Sequence, residues 1–171
     1  AGASRFYYFG GYMFTGLIRE VATVKSFVGS KLCIKASHKA KIGDSIAING
    51  ACLTVIELLN DGFCVELSPE SQKLLAIDNY KGRVHIEPAM MMGDRFEGHI
   101  VQGHVDTVGV VESIKNNGNS YDVFIKVEAR FLKYIVPKGS ITVDGISLTV
   151  NELLQDSFRL TIIPHTMKET L

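Results

Sequence analysis

An even set of cysteines, net charge and long apolar runs are all missing from this chain, and each absence narrows what it does. There are three cysteines, an odd number at widely spaced positions (Cys33, Cys52 and Cys64). No disulfide framework is expected from them; they predict reduced thiols and a cytoplasmic location. Eighteen acidic and eighteen basic residues cancel, which removes the broad electrostatic footprint that a nucleic-acid partner or an anionic membrane would require. No apolar run reaches the roughly 20 residues of a membrane helix. Residues 1–12 lack the basic-then-apolar order of a signal peptide. Neither Cys-x-x-Cys nor His-x-x-x-His occurs, so no metal site is expected. What remains is ordinary for a globular protein, with 46% hydrophobic and 21% charged residues.

What is present is a repeat. Val143-Asp144-Gly145-Ile146-Ser147-Leu148-Thr149-Val150 reads as a strand, a tight turn and a second strand with alternate apolar residues. Ile48-Asn49-Gly50-Ala51-Cys52-Leu53-Thr54-Val55 is an earlier copy, offset by 95 residues. The same offset relates Glu57-Leu58-Leu59 to Glu152-Leu153-Leu154, Asp61 to Asp156, Phe63 to Phe158 and Pro69 to Pro164. The chain is therefore a duplication, and 171 residues suit two small domains. At matched positions the first copy carries a thiol, Cys52, and the second a hydroxyl, Ser147.

Short strands broken by Gly, Asn, Asp and Pro predict an all-β barrel or sandwich, and closing each half into a barrel removes exposed strand edges. Strands are expected from Met13, over 13–24 and again over 100–111, with Gly16 matching Gly103 at a bend or bulge. That pair stands at an offset of 87. The second half therefore carries eight extra residues, expected at the turn-rich tip Asn116-Asn117-Gly118-Asn119. A turn or two of helix fits 68–77 and 129–135. Residues 1–12, aromatic and glycine-rich without a counterpart, read as a leader foreign to the natural chain. The first domain then spans 13–98 and the second 99–171. Met90-Met91-Met92 reads as flexible packing between them. The second half runs out at Leu171 before a strand to match Arg83-Val84-His85-Ile86-Glu87, so its last strand is expected to be missing.

Taken singly, the candidate reactive residues have ordinary explanations. His104 reads as a satisfied strand histidine, Cys52 as a small buried hydrophobe, and Lys138 as a loop charge. Ser147 and Thr149 share one face of an alternating strand, presenting two hydroxyls either to a ligand or to solvent.

In combination they carry a resemblance. Met13-Phe14-Thr15-Gly16, Asn49-Gly50-Ala51-Cys52-Leu53-Thr54-Val55, Glu97-Gly98-His99-Ile100-Val101-Gln102-Gly103-His104-Val105-Asp106 and Val143-Asp144-Gly145-Ile146-Ser147-Leu148-Thr149-Val150 stand in that order. The set resembles the riboflavin synthase family, with two lumazine-binding repeats, over essentially all of 13–171. The resemblance implies two tandem, pseudo-two-fold-related, six-stranded Greek-key barrels, each holding one 6,7-dimethyl-8-ribityllumazine. It implies transfer of a four-carbon unit between the two, giving riboflavin and 5-amino-6-ribitylamino-uracil with no metal or organic cofactor. It also implies a C-terminal helix beyond Leu171 that helps build a homotrimer, a site shared between neighbouring subunits, and association with lumazine synthase.

By the same resemblance the catalytic residues are His104, Ser147, Thr149, Cys52, Phe14 and Asp144. The reaction removes a methyl proton and adds a carbanion to a second ring. It needs two planar molecules held face to face, a base near neutral pKa and donors to developing charge. Water, a ribityl hydroxyl, Ser147 and Cys52 all remain as the group that adds to the acceptor ring. The first ligand is expected on Gly16-Leu17-Ile18, Cys52-Leu53-Thr54 and Glu66-Leu67-Ser68-Pro69-Glu70-Ser71. The second is expected on Gly103-His104-Val105, Lys138, Ser147-Leu148-Thr149 and Thr161-Ile162-Ile163-Pro164-His165-Thr166. A non-catalytic, antenna-type lumazine-binding protein is the alternative.

Overall fold

Runs of four to nine residues with alternating polarity, separated by Gly, Asn and Asp, become strands in a computed structural model of the chain. It describes residues 13–170, so the leader expected over 1–12 lies outside the described residues. The first half holds β1 (Glu20–Val28), β2 (Lys31–Lys35), β3 (Ser45–Ile48), β4 (Ala51–Leu59), β5 (Gly62–Glu66) and β6 (Arg83–Pro88). They close into a barrel in the order β1-β2-β5-β4-β3-β6. Because β6 pairs with both β1 and β3, this half has no open strand edge. Alternate residues point inward: Leu32 and Ile34, Ile46 and Ile48, Phe63 and Val65, and Val84 and Ile86 are all fully buried. Burying each such side chain is worth about 1.5–3 kcal/mol before chain entropy is counted.

The second half repeats the order with β7 (Val110–Asn116), β8 (Tyr121–Lys126), β9 (Ser140–Val143), β10 (Ile146–Leu153) and β11 (Ser157–Ile162), as β7-β8-β11-β10-β9. Its core is smaller, built on Val123, Ile125, Val150, Phe158 and Leu160. Among the described residues it has five strands rather than six. The strand that would match β6 has no counterpart there, which leaves β7 and β9 as edges.

Helical turns occur where expected, as α1 (Pro69–Leu74) and α2 (Ala129–Leu132), and α3 (Pro164–Glu169) starts at the proline that matches Pro69. Ser68 caps α1 by accepting a hydrogen bond from the Ser71 N–H at 3.0 Å.

Three sequence expectations need correction. The eight extra residues are not all at the hairpin tip. The pair Thr23↔Lys35 in the first half matches Val110↔Lys126 in the second, so the offset is 87 on one strand and 91 on the next. Pairing of β5 with β2 and of β11 with β8 then gives Gly62 and Ser157, back at 95. Half of the insertion lengthens the β7–β8 hairpin, and half lies in the connection that carries α2. The expected strands over 13–24 and 100–111 also begin late, at Glu20 and Val110. Ahead of them each lead-in turns at a positive-φ glycine, Gly16 or Gly103, and forms only one β-bridge. Phe14 and Val101, matched at an offset of 87, form an isolated antiparallel bridge through N–H···O bonds of 2.8 and 3.1 Å. A pseudo-two-fold axis relating the halves passes through that bridge.

The third correction concerns the thiols. Cys33 and Cys64 form a disulfide, leaving Cys52 as the free cysteine. They are 31 residues apart in sequence yet directly opposite each other on β2 and β5, a register no cysteine count reveals. The inference from odd cysteines to a reducing compartment loses its basis with this pairing.

Candidate functional site

The site begins with two tight turns. Asn49-Gly50 joins β3 to β4 and Asp144-Gly145 joins β9 to β10, with φ of 47° and 84° in the first and 47° and 86° in the second. Positive φ at both central residues is the hairpin geometry that Asn-Gly and Asp-Gly favour. The turns meet back to back across the pseudo-two-fold axis. A Cβ on Gly50 would lie 2.7 Å from the Gly145 nitrogen, so contact as well as conformation requires glycine there.

Each turn aims the start of its following strand at the lead-in of the opposite half. The Ser147 N–H donates to the Gly16 carbonyl at 2.7 Å, and the Cys52 N–H donates to the Gly103 carbonyl at 2.8 Å. Both contacts are close. A Cβ on Gly16 would stand 2.7 Å from the Ser147 Cβ, and one on Gly103 2.6 Å from the Cys52 Cβ. The expected grouping of site residues is therefore crossed. Gly16-Leu17-Ile18 belongs with Ser147, not with Cys52-Leu53-Thr54. Gly103-His104-Val105 belongs with Cys52, and Val105 packs on the core of the first barrel. The resemblance assigned each lead-in to its own repeat, whereas backbone pairing at the axis lends it to the other.

One buried carboxylate fixes this crossing. Glu87, at the end of β6, is 3% exposed. One of its oxygens accepts from the Thr15 N–H at 2.7 Å and the Thr15 hydroxyl at 2.8 Å, and the other from the Gly16 N–H at 3.0 Å. Charge-assisted bonds of this kind are the strong ones.

Gly16, Leu17, Ile18, Ile146, Ser147, Leu148, His165 and Thr166 line a cleft of about 470 Å³, whose rim adds residues from β1 and α3. The volume suits a small organic ligand. Hydroxyls from Ser147 and Thr166 and apolar Leu17, Ile18 and Leu148 give it both polar and apolar walls.

The remaining expected residues fall into three groups. Phe14 is fully buried, packed with Ala47, Val101, Cys52 and Ala89, so it backs the wall behind Cys52 and offers no open ring face. Leu53 and Leu67 are likewise core residues of the first barrel. Thr54, Glu66, Ser68, Pro69 and Glu70 are exposed around the matching end of that barrel, as is His104, with Ser71 half-buried. Thr149 is exposed one alternation beyond Ser147, and Lys138 is exposed with φ of 66° at the position where the first half has Gly43. Thr161 donates its hydroxyl to Asp122 at 2.6 Å, Ile162 continues β11 beside it, and Ile163 is exposed ahead of Pro164. Asp144 does not line the cleft. Its carbonyl oxygen is 2.8 Å from His85 Nδ1, and its side chain lies in a separate polar depression with Lys81, Arg83 and His85. Surrounding protein pushes the Asp144 carboxyl up, with His85 opposing.

The thiol and hydroxyl at matched positions differ in partners. Burial raises the Cys52 thiol above its usual range, against a smaller opposing effect from the Ser45 hydroxyl, so it is held neutral. The Ser147 hydroxyl lies 2.7 Å from His99 Nδ1, and the Thr142 hydroxyl is 3.2 Å from His99 Nε2. Burial lowers the His99 pKa, favouring the neutral ring. Sequence reasoning missed His99, Thr142 and Glu87. A usable signal existed for Thr142, which stands where the first copy has Ala47.

Among the described residues no three His, Cys, Asp or Glu side chains gather to hold a metal, and no helix is long and apolar enough to cross a membrane.

Residues 15–89 and 102–171 each match the family model of the lumazine binding domain. Riboflavin synthase of Photobacterium phosphoreum is 42% identical over 168 residues, covering 92% of this chain and 77% of that protein. That of Bacillus subtilis (strain 168) is 39% identical over 168 residues, covering 93% and 78%. That of Mycobacterium tuberculosis (strain CDC 1551 / Oshkosh) is 39% identical over 171 residues, covering 92% and 85%. The crystal structure of LumP complexed with 6,7-dimethyl-8-(1'-D-ribityl) lumazine shares the fold, with a TM-score of 0.81 at 17% identity over 92% of this chain and 91% of that one. With a lumazine-binding domain in each half and relatives of this identity across nearly its whole length, the chain belongs to the riboflavin synthase family.

Proposed function

We propose that the chain converts two molecules of 6,7-dimethyl-8-ribityllumazine into riboflavin and 5-amino-6-ribitylamino-uracil. The observation that carries this reading is the pair of matched sites. Two half-sites built on the same backbone contact, one headed by Ser147 and one by Cys52, suit two copies of one substrate treated unequally. The four-carbon unit leaving one lumazine is the unit the other gains, so no outside oxidant or co-reactant is needed.

The residues divide the work by chemistry. The 7-methyl group of one lumazine loses a proton, and negative charge spreads into its ring. A hydroxyl donor at Ser147 favours that charge, while the main chain of Gly16 to Ile18 and the Thr166 hydroxyl hold ring and side chain in place. His104, exposed beside the Cys52 half-site, has the group type of a base. It does not line the Ser147 cleft. In this reading the two bound rings come face to face where the Ser147 half-site of one chain meets the Cys52 half-site of another, as in a homotrimer.

Incubation with 6,7-dimethyl-8-ribityllumazine tests the reading through the appearance of riboflavin absorbance and fluorescence. Tight binding without conversion would replace it with the antenna-type alternative. Ultracentrifugation with bound ligand tests the shared site, and full turnover by a strict monomer would rule it out.

A further inference from the structure

Of the polar groups around the cleft, the His99 ring has the least obvious purpose. It does not line the cleft, yet both its nitrogens are engaged. His99 is held from below, since its backbone N–H donates to the Thr15 carbonyl at 3.1 Å beside the Phe14–Val101 bridge. Thr142 and Ser147 are register partners on β9 and β10, so their hydroxyls share one end of the hairpin. The ring sits between them, 2.7 Å from one and 3.2 Å from the other. Gly98, just before it, cannot be anything larger, because a Cβ there would overlap the Thr15 carbonyl oxygen. The histidine is thus built in from both sides.

A serine hydroxyl has one proton, and the short bond to Nδ1 consumes either that proton or the ring's. If Nδ1 accepts, the Ser147 proton points away from the cleft and only lone pairs face the ligand. If Nδ1–H donates, the Ser147 proton is free to point into the cleft. In that second arrangement Nε2 is the acceptor, and the Thr142 hydroxyl is placed to donate to it.

We propose that His99 is a positioning residue: held by Thr142 in the Nδ1–H tautomer, it donates to Ser147 and turns the Ser147 hydroxyl proton toward the ligand. The role in turnover rests on the lumazine reading above, whereas the tautomer does not. By this inference Ser147 is a directed donor, and Thr142, absent as a hydroxyl from the first copy, makes the two half-sites chemically unequal.

Two near-isosteric variants of the full chain separate the possibilities. In His99→Asn the side-chain amide can still donate to Ser147; in His99→Asp a carboxylate can only accept, drawing the hydroxyl proton away from the cleft. The expected result is a kcat within about fivefold of the parent for Asn and about 100-fold lower for Asp, the usual loss for one oxyanion donor. Lumazine affinity in both should stay within threefold. Equal kcat for the two variants overturns the proposal, and so does a loss confined to KM. Nitrogen-15 NMR of the unliganded parent tests the tautomer with no substrate present. A protonated Nδ1 whose shift responds to Ser147→Ala is expected, and a protonated Nε2 or an averaged ring overturns the proposal. Should the parent fail to bind or convert lumazine, the functional reading fails on its own, and the NMR result still decides the tautomer.

Discussion

Replacing Glu87 by Gln tests whether one carboxylate holds the crossed lead-in in place. The side chain is 3% exposed and accepts three hydrogen bonds, two from Thr15 and one from the Gly16 N–H. Glutamine is the same shape but offers one oxygen and one NH2. With its oxygen toward Thr15, the NH2 faces the Gly16 N–H, donor against donor. Flipped, the NH2 can donate to the Thr15 hydroxyl but opposes the Thr15 N–H. Either way one buried backbone N–H is orphaned and the remaining bonds lose their charge. A hydrogen bond to a charged group is worth about 1.5–3 kcal/mol, and a stranded donor costs about 1–3 kcal/mol, so the expected loss is about 2–3 kcal/mol. Urea denaturation followed by far-ultraviolet circular dichroism reads this as a lower midpoint at unchanged slope. Because the Gly16 carbonyl accepts the Ser147 N–H, lumazine affinity should fall as well. A midpoint shift worth less than 0.5 kcal/mol (about the scatter of neutral surface changes) would refute the claim that this carboxylate anchors the lead-in.

Lys138 occupies a left-handed position where the first half has Gly43. Lys138→Gly should stabilise the chain by about 0.5–1 kcal/mol, the relief of left-handed strain less the added freedom of the unfolded chain; a loss of stability in the same urea assay counts against it. Reducing Cys33–Cys64 opens a 31-residue span and should cost about 3–4 kcal/mol on the chain-entropy relation, read as a lower Tm with a phosphine reductant. Two alkylatable thiols protected under non-reducing conditions confirm the bond by mass spectrometry, and three reactive thiols exclude it. The raised Cys52 pKa predicts alkylation that sets in above the usual thiol value of 9.0. In the unfolded chain this thiol ionises first, so above that value the unfolded state binds fewer protons and stability falls as pH rises. Half-maximal alkylation of Cys52 below pH 8 would contradict its burial.

Much of this architecture is legible in the sequence because a repeat doubles every signal. The Asn-Gly and Asp-Gly turns, the alternating strands after them and the matched prolines each appear twice, so a repeated all-β unit follows from local pattern, whereas its strand order depends on the non-local pairings of β2 with β5 and of β1 with β6. The insertion illustrates the limit. Offsets fix its total length, but only strand register divides it between the β7–β8 hairpin and the connection through α2. The Cys33–Cys64 bond is hidden for the same reason. The crossed lead-ins were illegible on different grounds. Their contacts with the strands that carry Ser147 and Cys52 are single backbone bonds to the Gly16 and Gly103 carbonyls, which leave no mark in side-chain identity beyond the glycines themselves. Glu87 and His99 act across 72 and 48 residues respectively, on partners that periodicity does not connect.

The exchange of lead-ins also says something about ancestry. Neither repeat supplies the whole of its own half-site, since the strand bearing Ser147 or Cys52 borrows its facing wall from the other. A single-repeat ancestor would have met the same need only by pairing with a second copy about a two-fold axis, each molecule reaching across to complete its twin. On that account the Phe14–Val101 bridge is the relic of an intermolecular contact between identical residues. Within one polypeptide the two sides are free to differ, and they do, one carrying a thiol and the other a hydroxyl backed by a histidine.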